Sequence, residues 1–318
     1  MITLENTDCI ICGASDYTVV ATGSDYLYKT VGQQLHYVQC KKCGHLYLNP
    51  RPTIDQIGNI YPKNYSSFSG KFSKNKSLIA RLKDQVLLSR FNRLNIDKVK
   101  GLRVLDVGCG DGRFLISLRQ HHPDFVLHGL DWNFSAATFD ALKSDGIFPI
   151  VGTAEDMKLE NEFYDVIVMN QLVEHLWEPR EALKRCFNAL RPGGTFVLET
   201  PDPDGYDRLF FFRSGLWGSY YWPRHLNLFS GKLLSCLLVE IGFVDTRKTQ
   251  LLAPMCWIYS IISTVEKHNF HPSYIRTIVR DDKVWVLAPF ATLDWVLGKL
   301  GFNTSNQKMA ARKPGNKG

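Results

Sequence analysis

Four of the eight cysteines lie in two pairs with a two-residue spacer, an arrangement typical of metal ligands. Cys9 and Cys12 form the first pair, Cys40 and Cys43 form the second, and a glycine follows each pair. The spacer lets both thiolates of a tight turn reach one tetrahedral Zn²⁺ at about 2.3 Å. We therefore expect a structural zinc ion held by four sulfur atoms, with no open position for catalysis.

Two alternatives to zinc remain open at this point. The four cysteines could form two disulfides, or they could be reduced thiols whose spacing is accidental. His36 and His45 could each replace a cysteine as ligand, although four cysteines already complete the set. Short β-rich segments at 17–20 and 35–38 suit the hairpins of a zinc ribbon, so residues 1–50 are predicted to form one.

A second group of residues with chemical potential is a glycine-rich turn. The run VLDVGCGDG at 104–112 begins as an apolar strand and leads directly into a helical pattern from Phe114. Gly108 and Gly110 have no Cβ, so a ligand can lie against the backbone, and the N-terminus of the next helix can face an anion. This strand, turn and helix predict a nucleotide-binding site.

Acidic residues follow the next predicted strands. The strand at 125–130 ends at Asp131, where a carboxylate can accept both hydroxyls of a ribose. The strand near 150–152 precedes an Ala-Glu-Asp run that can meet the adenine amino group. The residues predicted to bind the cofactor are Asp106, Gly108, Cys109, Gly110, Gly112, Asp131, Trp132, Glu155, Asp156 and Asn170.

Across about residues 100–250 the chain resembles the class I S-adenosylmethionine-dependent methyltransferases. The resemblance rests on the glycine-rich turn, Asp131, the run AED at 154–156, the strand entering Glu174 and His175, and the run LRPGG at 190–194. It implies S-adenosylmethionine as cofactor, with Asp106 near its amino-acid end. The implied fold is α/β, a seven-stranded, doubly wound, Rossmann-like sheet whose last strand is antiparallel.

The predicted sixth and seventh strands, at 244–250 and 307–313, are unusually far apart in the sequence. Nearly sixty residues replace a short hairpin, which predicts a helical lid or substrate platform before the last strand. The predicted organisation is a zinc ribbon at 1–50, a linker and amphipathic helix at 51–100, the cofactor-binding core at 101–250, and the insertion with the final strand at 251–318. The run LRPGG is predicted to stop a helix and form a turn.

Two histidines are predicted near the methyl group. His175 follows the fourth strand, and His225 lies in an aromatic-rich loop after the fifth. A histidine can act as general base because its pKa lies close to neutral pH. His225 is the first choice, and packing roles for both histidines remain open.

The N-terminal ribbon also makes the chain similar to nucleotide-sugar C-methyltransferases. That resemblance implies a sugar site at Tyr65, which precedes two serines, together with His175 and His225. Trp222 and Arg224 stand where those enzymes have Tyr and Glu. Arg224 is predicted to hold a phosphate or carboxylate of the substrate.

The composition is that of an ordinary globular protein. Hydrophobic residues make up 45% of 318 and charged residues 22%, which excludes a disordered or fibrous chain. The net charge of +7 is spread along the chain, so an anionic small-molecule substrate is favoured over nucleic acid. Residues 1–8 lack the pattern of a signal peptide, and we expect a cytoplasmic location.

Two apolar stretches, 251–262 and 284–300, are too short or too interrupted to cross a bilayer. They are predicted to form core or lid helices, or a surface that contacts a membrane peripherally through 251–300. The oligomeric state is left open.

The leading functional hypothesis is methylation of a sugar, nucleotide-sugar or related intermediate, on oxygen in preference to carbon. The alternatives are a nucleic-acid methyltransferase with the ribbon as reader, a lipid-linked substrate, and a non-catalytic partner protein with a vestigial cofactor fold.

Overall fold

A computed structural model describes residues 1–61, 91, 100–211, 214–270 and 284–316 of the chain. Tyr65 and, apart from Phe91, the helix predicted between 78 and 98 lie outside the described residues.

The strands are β1 (Leu4–Glu5), β2 (Tyr17–Gly23), β3 (Leu35–Cys40), β4 (Leu46–Leu48), β5 (Arg51–Pro52), β6 (Arg103–Val107), β7 (Val126–Asp131), β8 (Phe148–Val151), β9 (Tyr164–Asn170), β10 (Leu190–Pro201), β11 (Asn227–Leu228), β12 (Val244–Leu251) and β13 (Asn306–Arg312). The helices are α1 (Ile57–Ile60), α2 (Arg113–His121), α3 (Ala136–Ser144), α4 (Pro179–Ala189), α5 (Arg208–Phe211), α6 (Gly231–Ile241), α7 (Pro254–His268) and α8 (Val284–Lys299).

The central sheet has seven strands in the order β12-β13-β10-β9-β6-β7-β8. Strands β6 to β10 pair in parallel, whereas β13 is antiparallel to both of its neighbours. The predicted seven-stranded sheet and its antiparallel last strand are therefore confirmed. The carboxyl ends of the parallel strands share one edge, which is where ligands of such sheets bind.

Adjacent residues of each strand point to opposite sides of the sheet, so both faces carry apolar side chains. Helices cover both faces and bury these side chains. Val104 and Val166 face each other in register and pack in one buried cluster with residues of α2. Leu105 and Ile167, the next pair, belong to a second cluster with residues of α4 and α6. The sheet is thus doubly wound.

The prediction of a turn at 190–194 is wrong. Helix α4 ends at Ala189, and β10 begins immediately at Leu190. The register shifts between Leu190 and Thr195, where the left-handed Gly193 lies. Proline and glycine here produce a bulge near the start of β10 and do not end the strand, because Leu190 and Thr195 on either side of the bulge still pair with β9.

Strands β1 and β5 of the N-terminal segment form a two-stranded sheet, but its larger sheet is completed by a strand from another part of the chain. Strands β2, β3 and β4 pair antiparallel, and the fourth strand of their sheet is β11. Asn227 lies opposite Tyr47, and Leu228 lies opposite Leu46. The sheet therefore crosses the domain boundary predicted near residue 50, and it fixes the loop that contains His225.

A buried ion pair joins the same two parts of the chain. The Arg224 guanidinium donates to both carboxylate oxygens of Asp25, at 3.0 and 3.2 Å, and both side chains are 0% exposed. The Tyr37 hydroxyl donates to the carbonyls of Tyr220 and His225. The prediction that Arg224 binds a substrate anion is wrong, because its guanidinium is enclosed and already paired.

The segment between β12 and β13 is helical, as predicted. Helices α7 and α8 pack together, and the Asp294 carboxylate of α8 accepts the Ala253 amide at 2.6 Å at the start of α7. Proline at the first position of α7 lacks an amide that would otherwise need a partner. Within the described residues, none of the helices combines the length and apolar content needed to cross a bilayer.

The ion pair leads to a stability prediction. Replacement of Arg224 by alanine leaves the Asp25 carboxylate buried without its partner, so we expect the free energy of unfolding to fall by about 3–5 kcal/mol. Urea denaturation followed by tryptophan fluorescence measures this. In the double variant Asp25→Asn with Arg224→Met no charge is left buried, and the loss should be smaller than for Arg224→Ala. An equal or larger loss would argue against this role for the pair.

Candidate functional site

The glycine-rich turn lies at the carboxyl end of β6. Gly108 has φ = 76°, a left-handed conformation that disfavours side chains, and its amide donates to the Leu130 carbonyl at 2.7 Å. An added Cβ at Gly108 would also meet Leu172 at 2.8 Å. The turn thus ties the ends of β6 and β7 together and presents backbone at the sheet edge.

Asp131 ends β7 beside this turn. One of its carboxylate oxygens accepts the Gly110 amide at 2.8 Å, and the other accepts the Asn133 amide at 3.2 Å. Burial raises the pKa of the carboxyl group. The side chain is therefore held in one orientation at the position that the sequence predicts for a ribose.

Asp106 lies within β6 and is buried. Its Oδ1 atom has no hydrogen-bond partner among the described residues. Burial, together with the negative charges of Asp131 and Asp111, raises the pKa of this carboxyl group to about 8. A buried carboxyl oxygen without a partner is unfavourable by itself, but it suits a ligand with a cationic amino group. The residues present therefore fit S-adenosylmethionine, whose amino-acid end the family resemblance places near Asp106.

A cavity of about 1010 Å³ opens above the glycine turn and Asp131. The predicted site residues that line it are Gly108, Gly110, Asp131, Trp132, Glu155, Asn170, His175 and His225. Asp106, Cys109, Gly112 and Asp156 are not among its lining residues, and Asp106 lies buried beneath the turn. The Cys109 side chain packs beneath the turn against Gly129, and Asp156 is exposed.

Glu155 lines the cavity but already has partners. Its Oε1 atom accepts the amides of Trp177 and Glu178 at 2.7 and 2.9 Å. This carboxylate therefore holds the start of α4 beside the cavity. The sequence raised Glu155 and Asp156 as possible contacts for an adenine amino group, and only Glu155 is near enough to line that space.

His175 and His225 come together although fifty residues separate them in sequence. Their ring centroids are 4.7 Å apart. Nδ1 of His225 lies 2.7 Å from the Ser219 carbonyl, and Nδ1 of His175 lies 2.9 Å from the Arg224 carbonyl. A carbonyl only accepts hydrogen bonds, so Nδ1 carries the proton in both rings and Nε2 is left as an acceptor.

Burial sets the charge state of both rings. It lowers the pKa of His175 to about 4 and the pKa of His225 well below its usual range, with the Arg224 charge acting in the same direction. Both imidazoles are therefore neutral near pH 7 and able to accept a proton.

Two functional side chains were missed from the sequence. The Tyr61 hydroxyl lies 3.0 Å from Nδ1 of His175, and Tyr61 lines the cavity. Glu174 accepts a hydrogen bond from Thr200, and burial raises the pKa of its carboxyl group to about 8. An oxygen of Glu174 and one nitrogen from each of His175 and His225 lie within 4.8 Å of one another, so these groups can share a proton or bind a cation. In the sequence, Glu174 could have been identified because it immediately precedes His175.

The far side of the cavity is formed by the helical insertion and is mostly apolar. Its lining residues there include Leu252, Pro254, Met255, Tyr259, Val284, Leu287, Ala288 and Ala291. The cavity lining therefore combines polar residues of the glycine turn, the two histidines and an apolar wall from α7 and α8.

The four N-terminal cysteines form a separate cluster. All four sulfur atoms lie within 4.8 Å of one another, with Cys9 and Cys43 at 3.5 Å and Cys12 and Cys40 at 3.6 Å. A tetrahedral Zn²⁺ with ligands at about 2.3 Å requires sulfur atoms about 3.8 Å apart, whereas a disulfide requires about 2.05 Å. The donor set and spacing fit zinc, and the four cysteines are not disulfide-bonded.

The nearby histidines have other roles. His45 is stacked between Tyr47 and Phe229, and its Nδ1 lies 3.6 Å from the sulfur of Cys9. His36 forms a 2.9 Å hydrogen bond with Thr22. Neither belongs to the four-residue set, which cysteines complete.

The sequence matches a family model described as methyltransferase domain over residues 74–248, more than half of the chain. It is 28% identical over 156 residues to the ubiquinone biosynthesis O-methyltransferase of Shewanella sp. (strain ANA-3), a match covering 46% of this chain and 65% of that protein. It is 27% identical over 161 residues to the tRNA U34 carboxymethyltransferase of Desulfotalea psychrophila (strain LSv54 / DSM 12343), covering 48% of each. The chain thus spans about half to two thirds of the length of these relatives.

The fold is similar to that of a solved structure, with a TM-score of 0.55. That structure is phosphoethanolamine N-methyltransferase 2 of Haemonchus contortus in complex with S-adenosyl-L-methionine. The match covers 94% of this chain and 68% of that one, and at 15% identity it shows the fold alone. With the family match over residues 74–248, the chain belongs to the methyltransferase domain family, as a class I S-adenosylmethionine-dependent methyltransferase.

Proposed function

We propose that the protein transfers a methyl group from S-adenosylmethionine to a hydroxyl group of a small biosynthetic intermediate. The observation that carries this proposal is the cavity that joins Gly108, Gly110 and Asp131 to the neutral pair His175 and His225. A hydroxyl group is a poor nucleophile until it loses its proton, and a neutral imidazole beside it can accept that proton.

S-adenosylmethionine, when bound, supplies an electrophilic methyl group on a sulfur atom that departs uncharged. The glycine turn and Asp131 would hold its adenosyl part, and Asp106 would face its amino group. What the chain must then do is align the acceptor hydroxyl with the methyl carbon and remove a proton from it. Nε2 of His225 is the proposed acceptor of that proton, and the Ser219 carbonyl holds the ring in the required tautomer.

The buried neighbours of His225 offset the cost of charging it. A low pKa makes the imidazole a weak base, so the protonated ring needs stabilisation when it forms. His175 and Glu174 are the groups within reach, and above about pH 8 Glu174 is already ionised, so its carboxylate would lie beside the new imidazolium. We propose Tyr61 as a positioning residue that acts through His175.

The apolar part of the cavity lining favours an acceptor that carries its hydroxyl group on an apolar or aromatic body. A nucleotide-sugar, favoured by the sequence, would need a partner for its phosphates, and Arg224 does not provide one because it is paired with Asp25. A hydroxyl group carried on an apolar or aromatic body fits the space between the histidines and α8 better. We therefore place sugars without a diphosphate, and lipid-linked intermediates, ahead of nucleotide-sugars.

An acceptor screen tests this order. Purified protein is incubated with S-adenosylmethionine labelled in the methyl group and with nucleotide-sugars, glycolipid intermediates, hydroxylated aromatic compounds and transfer RNA, and products are identified by mass spectrometry. Transfer RNA is included because one relative acts on it. Label on an oxygen of a small acceptor supports the proposal, whereas label only on RNA would overturn it.

We also propose that Cys9, Cys12, Cys40 and Cys43 hold a structural zinc ion. The Gly13 and Gly44 amides turn back to the carbonyls of Cys9 and Cys40, which closes both loops around the sulfur cluster. Zinc would stabilise a small sheet whose last strand, β11, directly follows the His225 loop.

Replacement of His225 by asparagine should remove the proton acceptor and keep a polar side chain of similar reach. We expect kcat to fall by about 10²–10⁴-fold, the usual contribution of a general base. Affinity for S-adenosylmethionine, measured by calorimetry, should stay unchanged. His121→Asn, an exposed position on α2, is the matched control and should keep wild-type turnover. Wild-type turnover by His225→Asn would exclude this residue as the base.

Cofactor binding should release a proton from Asp106. Its carboxyl group, with a pKa of about 8, is protonated at pH 7, and a cationic ligand favours the ionised form. Affinity should therefore rise as the pH increases from about 6 to 8, by up to about tenfold per unit. Calorimetry in buffers of different ionisation enthalpy counts the released protons. Asp106→Asn should bind more weakly and release fewer protons, and equal release by both proteins would contradict the assignment.

The zinc proposal predicts one metal ion per chain, measured by plasma mass spectrometry. Removal by a chelator, or the change Cys12→Ser, should lower Tm by about 5 °C or more because the β11 sheet loses its anchor. Methyl transfer should fall with it. Cys236→Ser alters an exposed cysteine outside the cluster and should leave metal content and Tm unchanged. Full metal content in Cys12→Ser would disprove the ligand set.

A further inference from the structure

Helix α8 exposes an unusually apolar surface. Its outward residues recur at intervals of three and four and include Trp285, Pro289, Leu293 and Val296. Trp285 is 61% exposed and Trp295 is 57% exposed, and the next turn adds the exposed Leu300 and Phe302. A helix that is apolar around its whole circumference is normally buried or in contact with lipid.

Helix α5 carries a second exposed apolar group, which is linked to α8 through Trp257. Leu209 and Phe210 are both exposed, and the Phe210 ring lies 6.1 Å from that of Trp257. Trp257 in turn stacks on Phe290 of α8 at 5.7 Å. We call the exposed residues of α5 and α8, with Leu300 and Phe302, the α5–α8 face.

The exposed Lys, Arg, Asp and Glu side chains of the insertion have one sign within its described parts. Within the described parts of the insertion, 252–270 and 284–305, the exposed lysines are Lys267 and Lys299. The two acidic residues of these parts are turned away from solvent: Asp294 is 1% exposed, and the Glu266 side chain, 4% exposed, pairs with Lys29 at 2.6 Å. Lys299, whose ammonium lies 6.0 Å from the centre of the Trp295 ring, therefore gives the apolar and aromatic face a cationic neighbour.

A neighbouring stripe of α8, partly exposed at Ala288, forms a wall of the cavity. Leu287, Ala288 and Ala291 line it, together with Met255 of α7. One apolar helix thus borders both the reaction space and the α5–α8 face. An apolar chain attached to the acceptor can pass from a lipid environment along α8 without being transferred through water.

We propose that the α5–α8 face docks on the surface of an anionic lipid bilayer, and that the acceptor is a lipid-linked intermediate drawn from it. Tryptophan and lysine at the edge of an apolar surface suit the headgroup region, where rings bury their apolar part and ammonium groups meet anionic lipid. A second copy of the chain would explain the apolar residues but not the lysines. The choice of acceptor rests on the proposed function, whereas the docking does not.

Vesicle flotation tests the docking. The full chain is mixed with vesicles of phosphatidylcholine, with or without phosphatidylglycerol, and centrifuged on a density gradient. We expect it to float with the anionic vesicles and to be released by high salt. The double variant Trp285→Ser with Trp295→Ser should lower the apparent affinity by about tenfold or more. Phe148→Ser with Val239→Ser, which alters two exposed apolar residues elsewhere, should float like the wild type.

Three further measurements separate the outcomes. Cofactor affinity by calorimetry must be the same in all variants, which shows that the tryptophan changes leave the core folded. Absence of flotation by the wild type would overturn the proposal, as would a dimer without lipid that the tryptophan variant converts to a monomer. Flotation without methyl transfer to any hydroxyl group would refute the proposed function and leave docking supported, whereas transfer to soluble acceptors without flotation would refute docking alone.

Discussion

The buried contact between Arg224 and Asp25 is the constraint on which the arrangement of this site depends. It joins a loop of the catalytic core to a segment 199 residues earlier in the chain, with neither side chain reaching solvent. The Arg224 carbonyl orients His175, and the next residue is His225. Because an unpaired charge in this interior is strongly unfavourable, the loop has one position in which the pair forms, and that position brings the two histidines together.

Burial, more than any specific partner, sets the charge states of the ionisable groups in and beside the cavity. It lowers the pKa of both histidines and raises the pKa of Asp106 and Glu174, so these four groups are mostly uncharged at pH 7 before a ligand arrives. Such a site favours a cationic ligand beside Asp106 and leaves each imidazole neutral, with Nε2 able to accept a proton. The same enclosure makes a charged imidazole energetically unfavourable. Glu174 is a carboxyl group close enough to stabilise that charge.

The cofactor half and the acceptor half of the cavity come from different parts of the chain. The family core supplies the glycine turn, Asp131 and the ends of the parallel strands, whereas α7 and α8 supply the apolar wall. The insertion lines part of the reaction space and also presents exposed tryptophans. The apolar wall of the cavity therefore comes from a segment that lies outside the family match at 74–248.

The sequence by itself determined the features that depend on neighbours along the chain. The strand, glycine turn and helix around 104–114, the acid at 131 and the paired cysteine turns are local patterns, so spacing alone was sufficient to predict them. Tertiary structure decided what depends on distant partners: Arg224 pairs with Asp25, Tyr61 reaches His175 across 114 residues, and β11 completes the ribbon sheet. A side chain's role is set by what encloses it, and enclosure comes from contacts between residues far apart in the chain, which no local pattern contains.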